Sequence, residues 1–161
     1  MTIYFTSDMH LGHKNIIKYS DRPFNSVEEM DEEIIKRFNS VVKSDDVVYD
    51  LGDLCLSNFN VYKYRFNGTL IRIKGSHDRD IKEPRMMVVT PENLFDEYRN
   101  PISITLCHYA TWHLYGHHHG KLPPYGLSFD VGVDCWDFYP VSLDQVKEKM
   151  ATLKPIVDFR T

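Results

Sequence analysis

Short apolar, β-rich runs recur along this 161-residue chain, and most of them are closed by a small polar cluster. The first, Thr2 to Thr6, reads as a buried strand. The same pattern predicts strands at Val47 to Leu51, Leu70 to Lys74, Met86 to Val89, Ile102 to Cys107, Trp112 to Tyr115 and Leu127 to Val133. One segment has a different period: Val27, Met30, Ile34, Phe38 and Val41 recur at helical spacing, which predicts a helix from Ser26 to Val42. Ser26 with Glu29 forms a capping-box signature at its start. A second, shorter helix is expected from Leu143 to Met150, capped by Ser142. Strands alternating with helices early and clustering late imply an α/β sandwich with mixed sheets rather than a wholly parallel one.

This length fits one domain, 1–161, with a real core and little room for an accessory unit. A formal charge of −4 argues against a broad basic surface for duplex nucleic acid. Two bound divalent cations would nevertheless add about four positive charges and turn an acidic cleft into an anion site. Cys55, Cys107 and Cys135 lack close spacing and read as reduced thiols. The first residues lack a basic start with a long apolar stretch, and no run is apolar enough to span a bilayer. The expectation is a cytoplasmic protein with no membrane partner.

The polar clusters hold the metal-binding residue types: Asp8-Met9-His10, Gly52-Asp53, Gly75-Ser76-His77-Asp78, His108, and Gly116-His117-His118-His119. Spread over more than a hundred residues but each placed at a strand end, they predict one dinuclear metal site assembled by folding. In extended chain residues two apart point the same way, so Asp8 with His10 and His117 with His119 are expected to act as bidentate clamps. Asp53 leaves its strand through Gly52, and its two oxygens suit it to bridge two cations. Ions roughly 3.5–4 Å apart let a bridging hydroxide attack phosphorus in line while both offset charge on the phosphoryl oxygens. His77 is followed by Asp78, an acidic neighbour expected to hold one ring nitrogen protonated while the other faces the substrate. That is a general-acid arrangement, with His77 and Asp78 as the catalytic pair.

Taken in order, Asp-x-His, Gly-Asp, Gly-x-His-Asp, a later His and Gly-His-x-His resemble the calcineurin-like metallophosphoesterases. Asp8-Met9-His10-Leu11-Gly12-His13 with Asn15-Ile16-Ile17, and Phe129-Asp130-Val131-Gly132-Val133-Asp134, resemble the small, cap-free bacterial and phage members. The resemblance implies a single-domain, four-layer α/β/β/α sandwich of two mixed sheets. It also implies that Asp8, His10 and His119 hold the first metal, that Asp53 bridges, and that His108 and His117 take the second. The family's Asn ligand to the second metal is Ser76 here, whose hydroxyl lies closer to the backbone and is expected to weaken that site by about 10-fold or more, since losing a residue that merely supports a ligand costs about 10–100-fold. Only 109–116 separate His108 from His117, a segment often longer in relatives, which predicts an open cleft.

His13 is read either as a substrate-phosphate contact or as a structural hydrogen bond, and Arg22 either as a phosphate fork or as an ordinary surface arginine. Mixed carboxylate and imidazole ligands suit two divalent transition metals, manganese first, with iron, zinc or nickel as alternatives. The function expected is hydrolysis of a small phosphorylated substrate, a phosphodiester such as a nucleotide or cyclic nucleotide ahead of a monoester. The rivals are an impaired phosphate-ligand or partner-binding protein, and a nuclease. The oligomeric state is left open.

Overall fold

The computed structural model describes residues 1–56, 58–78, 82, 84–89, 104–107 and 114–154. In chain order these form β1 (Ile3–Thr6), α1 (Ile16–Tyr19), α2 (Val27–Val41), β2 (Val47–Asp50), β3 (Thr69–Arg72), β4 (Met86–Val89), β5 (Ile104–Cys107), β6 (Leu114–Tyr115), β7 (Phe129–Asp130), β8 (Val141–Ser142) and α3 (Leu143–Thr152). Two mixed four-stranded sheets result, ordered β3-β2-β1-β8 and β4-β5-β6-β7. In the first, β1, β2 and β3 run parallel and β8 antiparallel. In the second, β4 is antiparallel to β5, while β5, β6 and β7 are parallel. The mixed α/β sandwich expected from the strand and helix order is what the chain forms.

Alternation along β1 sets the layers. Tyr4 packs with Met30, Ile34, Phe38 and Val48 in the core under α2, whereas Phe5 joins Leu106, Leu114, Phe129 and Val141 between the two sheets. Leu143 and Val146 of α3 enter that second core. Residue-by-residue reversal of side is the period-2 geometry of a strand covered on both faces. Helix α2 begins where its cap predicts, because Ser26 Oγ accepts from Glu29 N–H. Glu29 reaches one residue further back than a full capping box, accepting from Asn25 N–H instead. The complete box is at α3, where Ser142 and Gln145 satisfy each other reciprocally.

Two expectations shift. The strand read over Leu127 to Val133 is regular only at Phe129–Asp130, because Asp130 Oδ1 accepts from Gly132 N–H and the chain turns into a 3-10 turn at Val133–Cys135. Of the strand predicted at Trp112 to Tyr115, Leu114 and Tyr115 are present and the rest lies outside the described residues, as does His108. Among the described residues, no helix is long and apolar enough to cross a membrane.

Candidate metal centre

Parallel strands deliver their carboxyl ends to one side of a sheet, and ligand sites collect there. β1, β2, β3 and β6 end at Thr6, Asp50, Arg72 and Tyr115, each a few residues before a candidate side chain, and β7 ends at Asp130. The loops after β1 and β2 stay zipped together: Asp8 N–H donates to Gly52 O, His10 N–H to Asp53 O and Leu11 N–H to Leu54 O, each at 2.9 Å. Asp8 and Asp53 are thereby placed side by side.

The convergence does not come from extended chain, as the two-apart spacing suggested. Asp8, His10, Asp53, His117 and His119 all have left-handed backbone, with φ of 57°, 52°, 56°, 77° and 48°. Non-glycine residues in that region cost on the order of 1 kcal/mol each and persist where surrounding structure over-determines them. The zipped backbone bonds supply that constraint at Asp8, His10 and Asp53. Asp and His are among the side chains that tolerate the region best. Glycines then admit the close approach. A Cβ on Gly75 would overlap the Asp53 carboxylate, and one on Gly116 would overlap Ser7 Oγ and Asp8 Oδ2.

Among the described residues two overlapping groups of donors result, Asp8–His10–His119 and His10–Asp53–His77, the ligand atoms of each lying within 4.8 Å of one another. His10 Nε2 lies 3.9 Å from both Asp8 Oδ1 and Asp53 Oδ2, and His119 Nε2 lies 4.0 Å from Asp8 Oδ1. A cation about 2.1 Å from each of two donors keeps those donors about 3–4 Å apart, so these separations fit an ion between them. His10 Nε2 is buried and makes no hydrogen bond, a position that water or protein would ordinarily satisfy. Burial pushes the His10 imidazole down to about 3, with Asp53 only partly opposing, so it is neutral and a competent ligand at neutral pH. At His119 burial again disfavours the charged form, but the Asp134 hydrogen bond and the Asp8 charge outweigh it and the net shift is upward. These groups can hold a metal.

The remaining candidates fall as follows. His117 donates its backbone N–H to Asp8 Oδ2 at 2.9 Å, but its imidazole belongs to neither donor group. Ser76 Oγ donates to Asp53 Oδ2 at 2.9 Å. His13 is half-buried with its ring against those of His10, His77 and Tyr19, and burial holds its pKa down.

Two readings are corrected. Asp78 does not hold the His77 ring. Its buried carboxylate accepts from Asp53 N–H at 2.8 Å, Gly75 N–H at 2.9 Å and Arg72 Nη2 at 3.1 Å, and His77 Nδ1 instead meets Asp53 Oδ2 at 2.7 Å. Arg22 is neither a surface residue nor a phosphate fork, because its side chain is fully buried and directed into the protein. It donates to Asp8 O at 2.6 Å, Met9 O at 2.8 Å and both carboxylate oxygens of Asp134 at 3.0 Å. Asp134 and Asp130 were not singled out from sequence. Asp134 accepts from His119 Nδ1 at 2.7 Å, and Asp130 accepts from Gly120 and Gly132 N–H. The available signal was two carboxylates in the otherwise apolar run Phe129 to Val133 and its end, since buried charges require partners. Asp31, on the buried face of α2, likewise anchors Gly12 N–H and Tyr62 OH.

No protein-family model matches this chain. The solved structure of a protein of unknown function, AQ665 from Aquifex aeolicus, superposes with a TM-score of 0.68 over 92% of this chain and 98% of that one, at 21% identity, which shows a shared fold. A predicted phosphoesterase from Streptococcus pneumoniae TIGR4 reaches a TM-score of only 0.41 at 18% identity over 81% of this chain and 70% of that one, too low to carry an argument. In sequence, the Gene 66 protein of Mycobacterium phage L5 is 43% identical over 51 residues, covering 32% of this chain and 24% of its own. Uncharacterized protein MJ1445 of Methanocaldococcus jannaschii is 38% identical over 156 residues, spanning 89% of this chain and 88% of its own, and the chain belongs to the same family as that protein.

Proposed function

We propose that this chain is a metal-dependent phosphoester hydrolase of the calcineurin-like type, acting on small phosphodiesters such as nucleotides or cyclic nucleotides. The observation that carries the reading is the buried, unbonded His10 Nε2 lying 3.9 Å from each of two carboxylates. In this reading Asp8, His10 and His119 hold one divalent transition metal, manganese ahead of iron, zinc or nickel. Asp53, with His117 and His108, would hold a second ion. Bound ions of this kind supply positive charge to the phosphoryl oxygens and lower the pKa of water.

The protein's own part is positional. The zipped loops hold Asp8 and Asp53 rigidly, so neither needs to reorganise during reaction. His77 is half-exposed with Nδ1 on Asp53, so Nδ1 carries one proton, and it is the ring protonated at Nε2 as well that would serve a leaving oxygen as proton donor. Ser76 favours the rival reading of a phosphate-ligand binding protein with impaired turnover, since its hydroxyl is held on Asp53.

The test is manganese-dependent hydrolysis of bis(p-nitrophenyl) phosphate by the wild type, Asp53→Asn and Ser76→Asn together. Turnover that requires metal and disappears in Asp53→Asn is expected. Ser76→Asn should equal or exceed the wild type, because the amide oxygen reaches further from the backbone. No turnover of mono- or diesters by the wild type or Ser76→Asn with any of the four metals, alongside binding of inorganic phosphate, would replace the hydrolase with the binding protein.

A further inference from the structure

Arg22 lies at the centre of a buried polar array that the proposed chemistry does not use directly. It follows α1, whereas Asp134 sits in the 3-10 turn after β7 and His119 in the loop after β6. Arg22 Nε donates to Asp134 Oδ1 and Nη2 to Oδ2, both at 3.0 Å, the two-pronged geometry of an arginine–carboxylate fork. The outer edge of the same guanidinium grips the carbonyls of Asp8 and Met9, in the two successive peptides that lead to His10. Met30 Sδ and the Phe138 ring, 5.6 Å from the guanidinium carbon, close its remaining sides. Asp134 Oδ2 also meets His119 Nδ1 at 2.7 Å, while the opposite nitrogen, Nε2, faces Asp8 Oδ1.

We infer that Arg22 and Asp134 are positioning residues for the metal centre: Asp134 sets the tautomer and angle of His119, and Arg22 locks Asp134 to the Asp8–His10 loop. The inference rests on the metal-centre reading above. A carboxylate only accepts, so its partner Nδ1 carries the proton and Nε2 presents its lone pair toward Asp8. Because one guanidinium holds both the carboxylate behind His119 and the backbone carrying Asp8 and His10, three donors from two distant loops are set relative to one another. A lysine could not replace it, since a single ammonium cannot form the fork and still reach both carbonyls.

Asp134→Asn separates this role from a general structural one. Asp134 Oδ2 is shared by Arg22 Nη2 and His119 Nδ1, so in Asp134→Asn either amide orientation sets the NH2 against a donor: Arg22 Nε if the oxygen keeps the shared position, Arg22 Nη2 and His119 Nδ1 if it does not. The first orientation opens the Arg22 fork and offers His119 Nδ1 a weaker acceptor than a carboxylate; the second forces the proton onto Nε2 and blocks the ligand nitrogen. Nitrogen-15 NMR of histidine, above the imidazole titration range, should show His119 protonated at Nδ1 in the metal-free wild type and less exclusively so in Asp134→Asn. Calorimetric titration with manganese should show about a 10–100-fold weaker dissociation constant for Asp134→Asn, and a loss in the same direction for Arg22→Lys. Far-UV circular dichroism should be unchanged in both. A wild-type His119 protonated at Nε2, or manganese binding by a folded Asp134→Asn within twofold of wild type, would overturn the inference. Wild-type protein that binds manganese as expected but hydrolyses no phosphoester removes the hydrolase reading and leaves this one standing. A wild type that binds no manganese removes both.

Discussion

Replacing Asp78 distinguishes a loop anchor from a catalytic acid. Its carboxylate accepts from Asp53 N–H, Gly75 N–H and Arg72 Nη2, and it is almost wholly buried. Arg72 is itself buried, stacked on Phe59 with its guanidinium carbon 4.4 Å from the ring centre. Its other acidic neighbour, Asp50 at 3.6 Å, is pushed up to about 8 by burial, with Arg72 only partly opposing, and is neutral at pH 7. Asp78→Ala therefore leaves a buried guanidinium without a countercharge and two backbone donors without an acceptor. Breaking a buried pair from one side costs about 3–5 kcal/mol. For a chain of this size that corresponds to a fall in Tm of about 6–20 °C. Asp78→Asn is the sharper variant, because either amide orientation sets NH2 against a donor, Arg72 in one and the two backbone N–H groups in the other. Its cost should be about 1–3 kcal/mol. Urea unfolding gives the stability and manganese-dependent hydrolysis the function, and both should fall together because Asp53 hangs from the same carboxylate. If Asp78→Asn lost less than about 0.5 kcal/mol yet abolished turnover, Asp78 would be acting on the chemistry and the anchoring argument would fail.

Two further outcomes follow from the same loops. Asp50 is raised from 3.8 to about 8 when folded, so it favours the folded state most at low pH, and that contribution is lost as pH climbs through about 8. Asp50→Asn mimics the protonated form, so in metal-free protein the wild type should lose stability relative to the variant between pH 5.5 and 9. A constant difference measured by denaturant unfolding across that range would refute the assignment. Gly75→Ala places a methyl on the Asp53 carboxylate and should cost about 1–3 kcal/mol while weakening manganese binding. An unchanged melting temperature and dissociation constant would show that the loop gives way freely.

The elements most legible in the sequence were those with local causes. β1, β2, β4, α2 and α3 follow from runs of apolar residues and from caps within a few positions, and the metal-binding residue types were visible because each closes such a run. The mixed α/β sandwich followed from the order of those elements, and its two sheets from the family resemblance. Tertiary structure decided which way the side chains face. Asp8 and His10 meet through left-handed backbone held by the neighbouring loop, a conformation that the spacing of two residues does not encode. Asp78, adjacent to His77 in sequence, turns instead to Asp53 N–H, 25 residues away. Arg22 is buried because its carboxylate partner lies 112 residues further on and two carbonyls need its remaining donors. A charged side chain is placed by the partner that offsets its desolvation, and where that partner is remote in sequence only the folded chain reveals it.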